Sequence, residues 1–132
     1  MDLSSIDLQA AAEQGEKMYL EHPVTGETVK DDDGNPMWSK VLGTDSKAYN
    51  RAVSRIASKR TRKGKGQITV EQQAENAADL LSELSVDWYI QTDKDYPEFS
   101  ADAAKQLYIE HKWIRQQVDD FAGDRANFYK GS

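Results

Sequence analysis

The sequence contains no cysteine, which excludes disulfide cross-links and thiolate metal ligands. Only two histidines are present, His22 and His111, far apart and without companions at ligand spacing. A transition-metal centre, which needs three or four donors in fixed geometry, is not expected. No apolar run approaches the roughly 20 residues that span a bilayer. The opening residues, Met1-Asp2-Leu3-Ser4-Ser5-Ile6-Asp7, lack the basic and apolar segments of a secretory signal, so a cytoplasmic place of action is the default expectation. No Gly-x-Ser-x-Gly nucleophile elbow occurs, and no enzyme chemistry is otherwise suggested. The run Asp31-Asp32-Asp33-Gly34 invites a calcium-loop reading. Placing its glycine at position six puts Val29 and Lys40 at the two ends, where carboxylates are required. A solvated turn is the better reading.

What the chain does contain is core material on a polar background. Across 132 residues, 38% are hydrophobic and 30% charged, with three Trp, six Tyr and three Phe. The mean hydropathy of -0.81 is low, yet the aromatics suffice to build one core in a chain of this length. Net charge is -6 and unevenly spread: Lys59, Arg60, Arg62, Lys63 and Lys65 place five basic residues in seven positions. Without them, 12 basic residues face 23 acidic ones. An acidic body with one positive segment favours charge-steered contact with proteins or with copies of itself.

The period of the apolar pattern changes at Val41-Leu42-Gly43-Thr44-Asp45-Ser46. Before it, apolar residues are sparse and alternate among turn signals. After it they recur every three to four residues as far as Phe121. Gly43 can end the first element, and Asp45 or Ser46 can cap the next. Upstream, Leu3 to Gln14 reads as a short helix or ordered arm ended by Gly15. Residues 16–43 read as a small antiparallel hairpin or meander, with turns at Pro23–Glu27 and Asp31–Pro36. Two strands alone are marginal, so the hairpin should lie on the helices or be completed by a neighbouring subunit.

Downstream, Ser46 to Arg60 reads as a helix, and Thr61 to Gln67 as a loop. Thr69 opens a second helix through a capping box with Gln72, and Val70, Ala74, Ala77, Ala78, Leu81 and Leu84 line one face. Its alanines permit close helix approach, within the monomer or between subunits. Ser85 to Ile90 either extends that helix or runs extended with Trp88 buried, and Gln91 to Pro97 is a polar loop. Ser100 caps a third helix, a break falls near His111, and a fourth apolar stripe runs to Gly123. The expected architecture is a single mainly helical α+β domain over residues 1–132. It comprises an arm and hairpin (1–43), a body of about four helices (44–123) and an aromatic tail (124–132).

Candidate binding residues lie in two places. The basic cluster Lys59, Arg60, Arg62, Lys63 and Lys65 reads as a solvated loop, as a dock for an acidic surface or neighbouring subunit, or as a nucleic-acid contact. Against the last, the segment has no interleaved aromatics for base stacking. In the tail, Phe128 and Tyr129 read either as folding back on the core or as an exposed docking anchor beside Asp124, Arg125 and Asn127. No cofactor or metal is implied.

Several short motifs, in order, resemble a known family. They are His22-Pro23-Val24-Thr25-Gly26-Glu27, Gly43-Thr44-Asp45-Ser46 with Tyr49, Val86-Asp87-Trp88, Phe99-Ser100 with Ala103 and Leu107, and Asp124-Arg125-Ala126-Asn127-Phe128. Their order and spacing, over about residues 2–129, are similar to those of tail assembly chaperones of long, non-contractile-tailed bacteriophages and related prophages. The resemblance implies a non-enzymatic, self-associating morphogenesis factor in the host cytoplasm, absent from the finished virion. It implies binding to the tape measure protein, which is kept soluble, and recruitment of tail tube protein through a longer, frameshifted form. The ending Lys130-Gly131-Ser132 is compatible with the shorter product.

Overall fold

The computed structural model describes residues 2–62 and 68–129, with the backbone alone for 60–62. Its described elements form a three-stranded antiparallel sheet and five helices, an α+β fold dominated by helix. Helix α1 (Leu8–Gln14) starts where the Asp7 carboxylate accepts the Ala10 amide at 2.9 Å. It stops at Gly15, whose φ of +72° is open to a residue without Cβ. Strands β1 (Glu16–Tyr19) and β2 (Trp38–Val41) then pair antiparallel, Glu16 opposite Val41 and Tyr19 opposite Trp38.

Between these strands, residues 20–37 form a small meander. The Leu20 amide donates to the Met37 carbonyl at 3.0 Å, and the Val29 amide to the Leu20 carbonyl at 2.9 Å. His22 holds the first turn, its Nδ1 accepting the Val24 and Thr25 amides at 3.1 and 3.2 Å. The second turn departs from the solvated one expected. Asp31 is only 6% exposed and accepts four hydrogen bonds, from the Asp33 and Asn35 amides and from the Tyr89 and Tyr96 hydroxyls.

The hairpin is completed from its own chain. Helix α3 (Val70–Leu84) runs directly into strand β3 (Ser85–Tyr89), which pairs antiparallel on the far side of β2. Lys40 stands opposite Asp87, but Val41 stands opposite Ser85, so Val86 is the extra residue of a bulge. Met18, Ser39, Val41, Ser85 and Trp88 face inward and are buried, while Lys17, Tyr19, Val86 and Asp87 are exposed. Trp88 is buried, as the extended reading requires, and its indole N–H donates to the Pro97 carbonyl at 2.9 Å.

Helix α2 (Lys47–Arg62) begins at Ser46, whose hydroxyl accepts the Tyr49 amide at 3.3 Å. Ser46 is therefore the cap, and Asp45 is left for another partner. Among the described side chains of α2 only Ala52 is buried, and the helix packs chiefly on α3. The α3 capping box is complete: the Gln72 amide donates to Thr69 Oγ1 at 3.1 Å, and the Thr69 amide to Gln72 Oε1 at 3.0 Å. Val70 departs from the expected stripe, being 77% exposed, whereas Ala78, Leu81 and Leu84 are buried. Helix α4 (Ala101–Glu110) follows the Ser100 cap, and His111 separates it from α5 (Lys112–Gly123).

The most extensive helix pairing is α3 on α4, where Ala78 and Ala104 are both fully buried. Small side chains thus bring helices together inside the monomer. Each fully buried Leu or Val side chain in such a core contributes roughly 1.5–3 kcal/mol. From α4, Tyr108 crosses to the sheet and sits fully buried. Its hydroxyl lies 2.6 Å from Ser85 Oγ and 3.3 Å from Ser39 Oγ, which satisfies the polar tip of an otherwise apolar core.

Candidate functional site

Two motifs distant in sequence meet at one corner of the molecule. Beyond α5, a 3-10 turn (Arg125–Asn127) opens with the Asp124 carboxylate accepting the Ala126 amide at 3.0 Å. That turn aims Arg125 at Asp45, and its guanidinium donates to both carboxylate oxygens at 2.8 and 2.9 Å. The hydrogen bonds and charge of Arg125 hold the Asp45 carboxyl below its ordinary range. Phe128 turns inward, 6% exposed, edge-on to Phe121 with ring centroids 5.5 Å apart. It lies against Gly43, where a Cβ would stand 3.1 Å from the Phe128 ring and 2.9 Å from Ala12. Gly43 is needed for close approach here; it has ordinary φ, unlike Gly15.

The tail residues read from the sequence as binding candidates therefore divide. Arg125, Phe128 and Tyr129 border the Gly43 corner, and Phe128 follows the first of its two readings, folding back on the core. Asp124 and Asn127 face a second feature, an open groove of about 490 Å³ between β1 and α5. Lys17, Met18, Tyr19 and Glu21 line one wall, and Gln117, Asp120, Phe121, Asp124 and Asn127 the other.

At one end of this groove, Gln117 imitates a neighbouring strand. Its Oε1 accepts the Glu21 amide at 3.0 Å, and its Nε2 donates to the Glu21 carbonyl at 2.6 Å. Strand peptides alternate in direction, so the Tyr19 amide and carbonyl point toward the same side as those of Glu21. The acidic residues Glu21, Asp120 and Asp124 are among those lining the groove. Lys17, the one cation of the lining, has its ammonium 4.2 Å from the centroid of the Trp38 ring.

No family model matches this chain, and neither does any curated protein or solved structure.

The described part of the basic cluster lines neither the groove nor the corner. Lys59 is exposed on α2, the backbones of Arg60 and Arg62 belong to the last turns of that helix, and Lys63 and Lys65 lie outside the described residues. Among the described residues, no three His, Asp or Glu side chains converge as a metal set. Nor, among them, is any helix long and apolar enough to cross a membrane.

Sequence reasoning missed the groove and the Asp31 cluster. Hydrogen bonding, foremost from Tyr89, holds the Asp31 carboxyl below its ordinary value. Loss of surrounding water, then the bond to Asp31, pushes Tyr96 up to about 12. Gln91 adds a further tie, its Oε1 accepting the Asp32 amide and its Nε2 donating to the Asp32 carboxylate, both at 2.8 Å. These groups pin the 31–35 turn to the end of β3. An ionised carboxylate held by protonated phenols is a fastening, and the chemistry the groove offers is recognition: strand-edge peptide groups, apolar walls and negative charge.

Proposed function

We propose that this protein is a tail assembly chaperone of a long, non-contractile-tailed bacteriophage or related prophage. In this reading it acts without catalysis in the host cytoplasm, self-associates, binds the tape measure protein and keeps it soluble. It helps recruit tail tube subunits, with a longer frameshifted form making that contact, and it is absent from the mature virion.

The observation that carries the proposal is the physical coupling of its ordered motifs. Gly43-Thr44-Asp45-Ser46 and Asp124-Arg125-Ala126-Asn127-Phe128, selected by resemblance, touch through Asp45–Arg125 and Gly43–Phe128. His22 and Gly26 of the first motif build a turn, and Trp88 of the third fills the core. The motif set therefore specifies one packed domain, which is what a family signature made of turns, caps and core positions should do. The acidic groove fits a protein that works by binding.

Co-expression is the direct test. The chain and the tape measure protein of its own phage are produced together, with the latter alone as control. The proposal expects the tape measure protein to move into the soluble fraction and to co-purify with the chain. Continued insolubility without co-purification defeats it. Light scattering over a concentration series tests self-association separately.

A further inference from the structure

We infer that the groove beside β1 receives an extended, lysine- or arginine-bearing segment of a partner protein, which adds to the sheet as a fourth strand. The inference concerns the mode of binding and does not require the tail-assembly reading.

Three observations carry it. First, β1 is an edge: the sheet order is β1-β2-β3, with β2 in the centre. The Leu20 amide is turned toward Met37, whereas both peptide groups of Glu21 face α5. By strand alternation Tyr19 presents its amide and carbonyl to the groove. Second, Gln117 shows how this edge is satisfied, since one carboxamide supplies both the acceptor and the donor that a neighbouring peptide would supply. Beside Tyr19 there is instead a groove of about 490 Å³. An added strand is the natural occupant, because main-chain hydrogen bonds supply affinity while side-chain surroundings supply selectivity. Third, those surroundings are acidic. Glu21, Asp120 and Asp124 line the groove, and the Lys17 ammonium is placed over Trp38. A cationic segment is favoured and an acidic one repelled. Phe121 and Met18 give the same walls an apolar component, so alternating basic and apolar side chains match best.

The position of Gln117 fixes the extent of the addition. Because Glu21 is already paired and the Lys17 amide donates to Glu16 Oε1 at 3.4 Å, the incoming strand is centred on Tyr19 and halts before Glu21.

The test uses the whole chain and a blocked hexapeptide of alternating Lys and Val, followed by amide-resolved NMR titration. Expected are shifts concentrated at residues 17–21 and 117–127, and affinity that falls as salt is raised. The corresponding Glu-Val peptide should produce no shifts. A Lys-Val peptide N-methylated at alternate residues should bind at least tenfold more weakly when the blocked amides face β1. Glu21→Gln combined with Asp120→Asn should weaken binding several-fold without altering the spectrum elsewhere. Tyr19→Pro removes a donor that faces away from β2, so it should leave the sheet intact and abolish binding. If that variant fails to fold, the double variant and the methylated peptide decide. Absence of shifts, shifts confined to other surfaces, or equal binding of the Glu-Val peptide would overturn the inference.

Discussion

Arg125 grips both oxygens of Asp45, although 80 positions separate them in sequence. The pair closes the tail over the junction where strand gives way to helix. The Arg125 side chain is 65% exposed, so the pair acts as a guide for the tail. An exposed pair of this kind contributes little by itself. The energy lies behind it, where Phe128 is seated against Gly43 and Phe121.

Phe128→Ala should accordingly destabilise the protein by about 3–5 kcal/mol, the usual cost of emptying a buried aromatic site. Gly43→Ala should cost about 1–3 kcal/mol through overpacking, because its new methyl would meet Ala12 at 2.9 Å and Phe128 at 3.1 Å. Combined, they should cost less than the sum, since removing the ring relieves part of the clash. Urea denaturation of the four proteins checks this, and strict additivity would contradict the proposed contact.

A second expectation concerns acid. The Asp31 carboxyl lies below its ordinary value of 3.8 in the folded chain, chiefly through the Tyr89 hydroxyl. A carboxyl lowered on folding contributes stability that is present above its unfolded pKa and lost as pH falls through the lower folded value. Asp45 and Asp79 are lowered too, each foremost by hydrogen bonding to an arginine. The protein should thus lose stability below about pH 4, and Asp31→Asn should show a shallower loss over that interval. Melting temperatures followed by circular dichroism from neutral to acidic pH provide the comparison. Parallel curves for the two proteins would remove Asp31 from this role.

Tyr108 offers a test inside the core. Tyr108→Phe deletes the hydroxyl shared with Ser85 and Ser39. Ser85 keeps its bond to the Leu81 carbonyl at 2.9 Å, whereas buried Ser39 is left with the desolvation cost. The substitution should destabilise by about 1–3 kcal/mol. Ser39→Ala in the same background should restore part of that loss, giving a coupling of ~0.5–1.5 kcal/mol in a double-mutant cycle.

One change should stabilise the protein. Asp93 and Lys94 both adopt positive φ, +50° and +65°, between the mutually paired Thr92 and Asp95. Such two-residue turns favour Asn-Gly, and the left-handed region costs other residues roughly 1–2 kcal/mol. Replacing Asp93-Lys94 by Asn-Gly should raise stability by about 1 kcal/mol, read as a higher urea midpoint at unchanged slope.

Features governed by neighbouring residues were legible in the sequence. The Thr69–Gln72 box, the Ser100 cap, the His111 break and the hairpin within 16–43 all arise from local chemistry. Long-range partners were not legible. Three aspartates before a glycine resemble a solvated turn until Tyr89 and Tyr96, 58 and 65 positions away, are seen to reach Asp31. Strand β3 was left open because the bulge at Val86 interrupts the alternation of its side chains. Asp45 looked like one of two equal caps, and only Arg125 gives it a different task. The groove was hidden for the same reason: Gln117 and Glu21 are 96 positions apart.

The seat between Ala12 and Gly43 also has a consequence for biosynthesis. Ala12 and Gly43 both leave the ribosome before Phe128, whose ring lies against Gly43. Throughout elongation of the intervening hundred or so residues that seat lacks its occupant, since docking across such separation must await the distal segment. Closure of this corner is thereby deferred until Phe128 has been synthesised, and a nascent chain arrested before Phe128 leaves that seat unfilled.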